Sequence, residues 1–173
     1  MYKLYNNLLG NNMKTHWRLA SEERFTKKLL IIIDAQVDEI IQASKIVPDP
    51  DAMGYFDEVE HTIGLGFVIL QNFITAFYSN SKAIALNKGP RYLSGVFIAV
   101  VINDAANYWK HHKEWSASKD QKHRERIEDT FKNMHCSIND NYPLSNILAE
   151  LSDSPTASFI PLLNLMLEWQ LEL

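Results

Sequence analysis

The chain has 173 residues, 46% of them hydrophobic and 22% charged, a balance that supplies one domain with a sizeable core and argues against a disordered chain. Its formal charge of −4 excludes nucleic-acid binding spread over the whole surface, while leaving room for a local basic site that holds a strand or one phosphate. A single cysteine, Cys136, excludes an intramolecular disulfide framework and fits a reducing compartment, where it reads as a packing residue.

In chain order, Met1–Asn7 is rich in asparagine and lacks the apolar run of a signal peptide. The most apolar stretches, Ile63 to Tyr78 and Leu93 to Ile102, are shorter than the ~20 residues of a membrane span, and Gln71-Asn72 interrupts the first. The expectation is a cytoplasmic protein without a membrane partner. Helical periodicity dominates, with no hairpin signal and no internal repeat, so the fold is expected to be all-α.

A first helix is expected to start at Ser21, which can cap Glu22-Glu23-Arg24, and to end near Ser44 before Pro48-Asp49-Pro50. A second runs from about Phe56 to Tyr78, with acidic Asp57-Glu58 at the positive end of its dipole. A short helix at Lys82 to Leu86 and the breaker Asn87-Lys88-Gly89-Pro90 precede a third long helix, from about Tyr92 to Trp115. Ser116-Ala117-Ser118 breaks the pattern, and Lys119 to His135 reads as an exposed, charged fourth helix. Shorter helices at Ser145–Leu151 and Phe159–Leu171 flank Asp153-Ser154-Pro155. The sum is a single α-helical domain: four main helices with short additions, a core over about 21–135 and a C-terminal helical extension over about 145–172. Phe159 to Trp169 reads as core, with a dimer contact as the alternative.

The third long helix carries the functional signal. On a helix advancing about 100° per residue, Asn103, Asn107, Lys110, His111 and Glu114 continue the face that holds Val96, Ala99 and Val100 one turn earlier. Buried polar groups need partners, so these side chains pair among themselves or line a site. Antiparallel pairing with the second helix would bring Asp57, Glu58 and His61 opposite Lys110, His111 and Glu114.

Three chemistries suit such a cluster. His111 can act as general acid or base, oriented by a carboxylate or Asn107, with Lys110 stabilising phosphate charge, as phosphodiester cleavage requires. Alternatively Glu58, His61, His111 and Glu114 bind a metal, since Glu58-Val59-Glu60-His61 has the Glu-x-x-His spacing of di-metal bundles, with Asp120-Gln121-Lys122-His123 as a partial second copy. In the third, the groups form a satisfied ion-pair network around Trp109 and Trp115.

His16, His123 and His135 carry weaker signals, and His112 points away from the Asn103 face. The basic run Lys119, Lys122, His123, Arg124, Arg126 alternates with Asp120, Glu125, Glu128 and Asp129 and reads as a solvated face. No dinucleotide fingerprint, phosphate-cradling glycine loop or nucleophile elbow occurs, and no cofactor is expected.

The long-helix bundle and Ala106-Asn107-Tyr108-Trp109-Lys110-His111 resemble the HEPN superfamily, small α-helical domains of prokaryotic toxin and defence systems and of RNA-processing proteins. That family's motif is an arginine, often followed by a polar residue, and then a histidine four to six residues on. Asn107 and His111 match the polar residue and the histidine, whereas Ala106 stands where the family has its arginine. The resemblance implies metal-independent RNA cleavage with the 2′-hydroxyl as nucleophile, and a homodimer that joins two histidine motifs. The leading expectation is a HEPN-like domain of a defence or toxin–antitoxin system, acting on RNA as an endoribonuclease, with Asn107, Lys110, His111 and Glu114 as its site. The competing class is a non-catalytic protein partner, an immunity protein or antitoxin whose acidic charge suits a basic target.

Overall fold

A computed structural model describes residues 2–78, 81–115, 121–152 and 157–173, with side chains from Trp17 onward. Its seven helices are α1 (Tyr2–Ser44), α2 (Tyr55–Phe77), α3 (Lys82–Leu86), α4 (Ile98–His111), α5 (Gln121–Asn133), α6 (Pro143–Ser152) and α7 (Ile160–Leu171), and a 3₁₀ turn at His112–Glu114 extends α4. No strand occurs among the described residues. The fold is an all-α bundle.

Two expected helix starts move. The first helix runs from Tyr2 rather than Ser21, because Gly10 is its sole strong breaker and no proline interrupts it. The third long helix starts at Ile98 instead of Tyr92. Gly95 takes a φ of 88°, a left-handed conformation that a helix cannot continue, and the Tyr92 N–H donates to Val96 O at 2.9 Å. Arg91 closes this turn, donating to Gly95 O at 2.7 Å with its guanidinium 3.5 Å above the Phe97 ring. The expected breaks at Ser116–Ser118 and Asp153–Pro155 lie outside the described residues.

α2 occupies the centre, because it is apolar on most of its circumference and packs against α1, α4, α6 and α7. α1 runs antiparallel along it, and Arg18 donates to Ala76 O at 2.6 Å. Two glycines of α2 allow close packing. A Cβ on Gly64 would stand 1.8 Å from Trp109 Cδ1, and one on Gly66 would stand 2.3 Å from Phe159 Cε2.

The C-terminal helices belong to the same core as the rest. Leu144, Ile147, Leu148, Phe159, Leu162, Leu163, Met166 and Trp169 are buried in one cluster with Phe67, Leu70 and Ile102. Trp169 also donates its indole N–H to Ala85 O at 2.8 Å. Polar joints fix the outer layers: Glu60 accepts from the backbone N–H of Leu144 and Ser145 at 2.7 and 2.9 Å, capping α6, and Asp34 accepts from Ser158 Oγ at 2.6 Å and from Phe159 N at 3.0 Å.

Candidate functional site

The polar face of α4 meets the single glutamine inside the apolar part of α2. Gln71 is 6% exposed, and its amide nitrogen donates to Asn103 Oδ1 and Asn107 Oδ1, both at 3.0 Å, and to Asn103 O at 3.2 Å. Its amide oxygen accepts from Lys110 Nζ at 2.6 Å. Three of the five side chains expected to share a face therefore converge on one amide, which fixes the Lys110 ammonium at the rim.

Asn103 leads inward to a buried carboxylate. Its Nδ2 donates to Asp104 Oδ1 at 2.9 Å, and the same carboxylate accepts from Arg126 Nη2 at 2.7 Å and Thr130 Oγ1 at 2.9 Å, both on α5. Asp104 is 1% exposed, and burial raises its pKa even though Arg126, the hydrogen bonds from Thr130 and Asn103, and nearby His123 all favour its charged form.

Cations outnumber this carboxylate. Lys82, on α3, senses both Arg126 and Asp104, and its pKa is lowered first by burial and then by the Arg126 charge. Lys110 is lowered first by burial and then by the charge of Lys82. Lys82, Lys110 and Arg126 thus share one neighbourhood with a single buried anion among them. Lys110, depressed by the Lys82 charge, and Lys82, depressed by the Arg126 charge, would both gain from a bound anion.

The imidazoles stand at the edge of this region. His111 and His123 rings lie 6.3 Å apart, edge to face, and His111 Nδ1 is 3.4 Å from Glu114 Oε2. The His111 side chain is 46% exposed, so a ligand can reach it.

The ends of α2 and α4 do meet, but with different α4 residues than expected. Asp57, Glu60 and His61 line a cleft of about 320 Å³ with Tyr108, Trp109, His112 and Lys113, whereas Lys110 reaches Gln71 and His111 turns toward Glu114 and His123. The cause is rotation: Lys110 points to Gln71 on α2, His111 points to His123 on α5, and His112 is stacked on Tyr108, whose ring packs on Phe131. The expected cluster is thereby divided in two, and Glu60 is occupied as the α6 cap. Among the described residues no three His, Cys, Asp or Glu side chains are gathered as metal ligands, so Glu58, His61, His111 and Glu114 do not form the metal set considered above. Asp120, of the second Glu-x-x-His-like copy, and the side chain of His16 lie outside the described residues.

No protein-family model, curated protein or solved structure matches this chain. Function has to be read from the side chains themselves. Ala106 is fully buried in the core, so an arginine at that position would have to displace packed side chains rather than enter the cleft. The arginine beside this network is Arg126, which the charge pattern of α5 disguises, because on sequence it sits in an alternating, solvent-facing run. Arg126 is half exposed and anchored on Asp104, not merely solvated. Asp104 carried a legible signal, as a carboxylate between buried Asn103 and Ala105, and so did Gln71 inside an apolar helix. Lys82 carried none, because its approach depends on how α3 folds back.

Proposed function

We propose that the face formed by Lys82, Lys110 and Arg126 with His111 and His123 binds a phosphate of an RNA strand, and that the chain is a HEPN-like, metal-independent endoribonuclease of a prokaryotic defence or toxin–antitoxin system. One observation carries this proposal: a cation cluster with a single buried counter-charge lies beside two imidazoles 6.3 Å apart. That is the inventory phosphodiester transfer needs. The cations hold the phosphate and the charge that grows on it, and one imidazole accepts a proton while another supplies one.

In this scheme His111, oriented by Glu114, takes the proton of the ribose 2′-hydroxyl. The 2′-oxygen bonds to phosphorus as the bond to the 5′-oxygen breaks. His123 protonates that leaving oxygen, and the products are a 2′,3′-cyclic phosphate and a 5′-hydroxyl. Lys110, held by Gln71, which Asn107 in turn anchors, stands beside the developing phosphorane charge.

Incubation of the purified chain with total RNA and tRNA in EDTA tests the scheme. Cleavage to 2′,3′-cyclic ends, lost at least ~100-fold in His111→Ala as expected for removal of a general base, supports it; an inert, folded wild type overturns it. A second reading, a non-catalytic immunity protein or antitoxin, is favoured by the pairing of Lys110 with Gln71 and of Arg126 with Asp104, which satisfies both cations within the chain. An inert chain that still shifts RNA in a salt-dependent gel assay excludes that second reading in favour of a binding module for RNA.

A further inference from the structure

The outer face of α1 shows apolar side chains where a surface helix normally shows polar ones. Trp17, Phe25, Ile31 and Ile32 are 72%, 61%, 50% and 62% exposed, while the opposite face of the same helix buries Thr26, Leu30, Val37 and Ile40 against the core. Trp17, Ser21, Arg24, Lys28, Ile31, Ala35, Asp38 and Gln42 lie along one line of this face at spacings of four and three; three of these eight are apolar and five polar, and Phe25, Lys27, Ile32 and Glu39 flank the line. A long helix with two apolar faces has a second packing surface.

The charges along that face say what covers it. Its N-terminal half carries Arg24, Lys27 and Lys28, its C-terminal half carries Asp38 and Glu39, and all five are exposed. Ile31 and Ile32 lie between the two blocks. A parallel copy would set like charges against like. An antiparallel copy, related by a two-fold axis near Ile31 and Ile32, sets Arg24 opposite Glu39 of the partner subunit and stacks the isoleucines at the centre, and each contact is made twice, as an isologous interface requires. The face is thus complementary to itself in one direction only.

We infer that α1 is the interface of a homodimer, two α1 helices packing antiparallel about Ile31 and Ile32. This surface is distinct from the α4 stripe, whose Asn103 and Gln71 are buried within one chain and are not open to a second copy. The inference stands independently of the RNA activity proposed above. The line from Trp17 to Gln42 runs about 38 Å at 1.5 Å per residue, a length over which paired helices form stable contacts.

Sedimentation of the whole chain tests it, since one chain weighs 19.9 kDa. The wild type is expected to sediment at twice that mass at micromolar concentration. Arg24→Glu with Lys28→Glu should dissociate it, Asp38→Lys with Glu39→Lys likewise, and an equimolar mixture of the two variants should restore the doubled mass. Ile32→Asp should weaken the dimer by at least ~10-fold, equivalent to about 1.4 kcal/mol, with an unchanged far-ultraviolet circular dichroism spectrum, because Ile32 is exposed in the single chain. A monomeric wild type at 100 µM overturns the inference and leaves the face to another protein. So does a dimer indifferent to these substitutions, or charge variants that dissociate but fail to recombine.

Discussion

Asp104 concentrates the energetic conflict of the site in one residue. Its carboxylate is removed from water, and three donors compensate that loss only in part, so its folded pKa lies above the ordinary aspartate value. A raised folded pKa means that folding binds the proton more tightly than the unfolded chain does. The stability this residue contributes is therefore complete below the unfolded value, near 4, and is lost as pH rises through the higher folded value. Asp104→Asn keeps the shape and abolishes the titration. Urea melts at pH 4.5 and pH 7.5 are expected to show the wild type losing stability relative to Asp104→Asn as pH rises; parallel behaviour of the two proteins would show that Asp104 is not strained. Cys136 illustrates the opposite role for a polar atom, since burial first, then Glu150 and Asp140, push its thiol up to about 11, which leaves it a packing group at neutral pH.

At the scale of elements, the site depends on how closely α2 and α4 approach. Gly64 lets the Trp109 ring lie on the α2 backbone, and this contact sets the distance at which Gln71 reaches Asn107 and Lys110. Replacing glycine by alanine on an open helix surface stabilises it by about 1 kcal/mol. Here the added methyl collides with an indole. Gly64→Ala is expected to destabilise the chain by about 1–3 kcal/mol in urea melts, and Gly66→Ala, against Phe159, to act in the same direction. A stabilised Gly64→Ala would mean that the ring moves aside at no cost. The shift of the α4 start to Ile98 belongs to the same scale, because Gly95 and the Arg91–Phe97 turn decide where the helix can begin.

At the scale of the whole molecule, the C-terminal helices are part of the core and not an extension of it. Phe159, Leu162, Leu163, Met166 and Trp169 are all fully or almost fully buried. At about 1.5–3 kcal/mol for each large apolar side chain, these residues together contribute roughly 10 kcal/mol, comparable to the whole stability of a typical domain, about 5–15 kcal/mol. A chain ending at residue 158 is expected to show no cooperative thermal transition by circular dichroism. A sharp melt of that shortened chain would show that the bundle folds without α7. Within the described residues, no helix is long and apolar enough to cross a membrane.

What could be read from the residues alone was what repeats locally. The all-α class, the extents of α2 and α3, and the common face of Asn103, Asn107 and Lys110 all follow from a helical period that needs no partner to define it. The tertiary structure decided what depends on contacts between distant segments: that Gln71 gathers the α4 side chains, that Arg126 and Lys82 approach Asp104, that Glu60 caps α6, and that His111 faces His123 rather than His61. The physical reason is that periodicity determines which side of a helix a residue occupies, while the rotation of one helix against another is set by packing around Gly64, Gly66 and the aromatic rings seated on them.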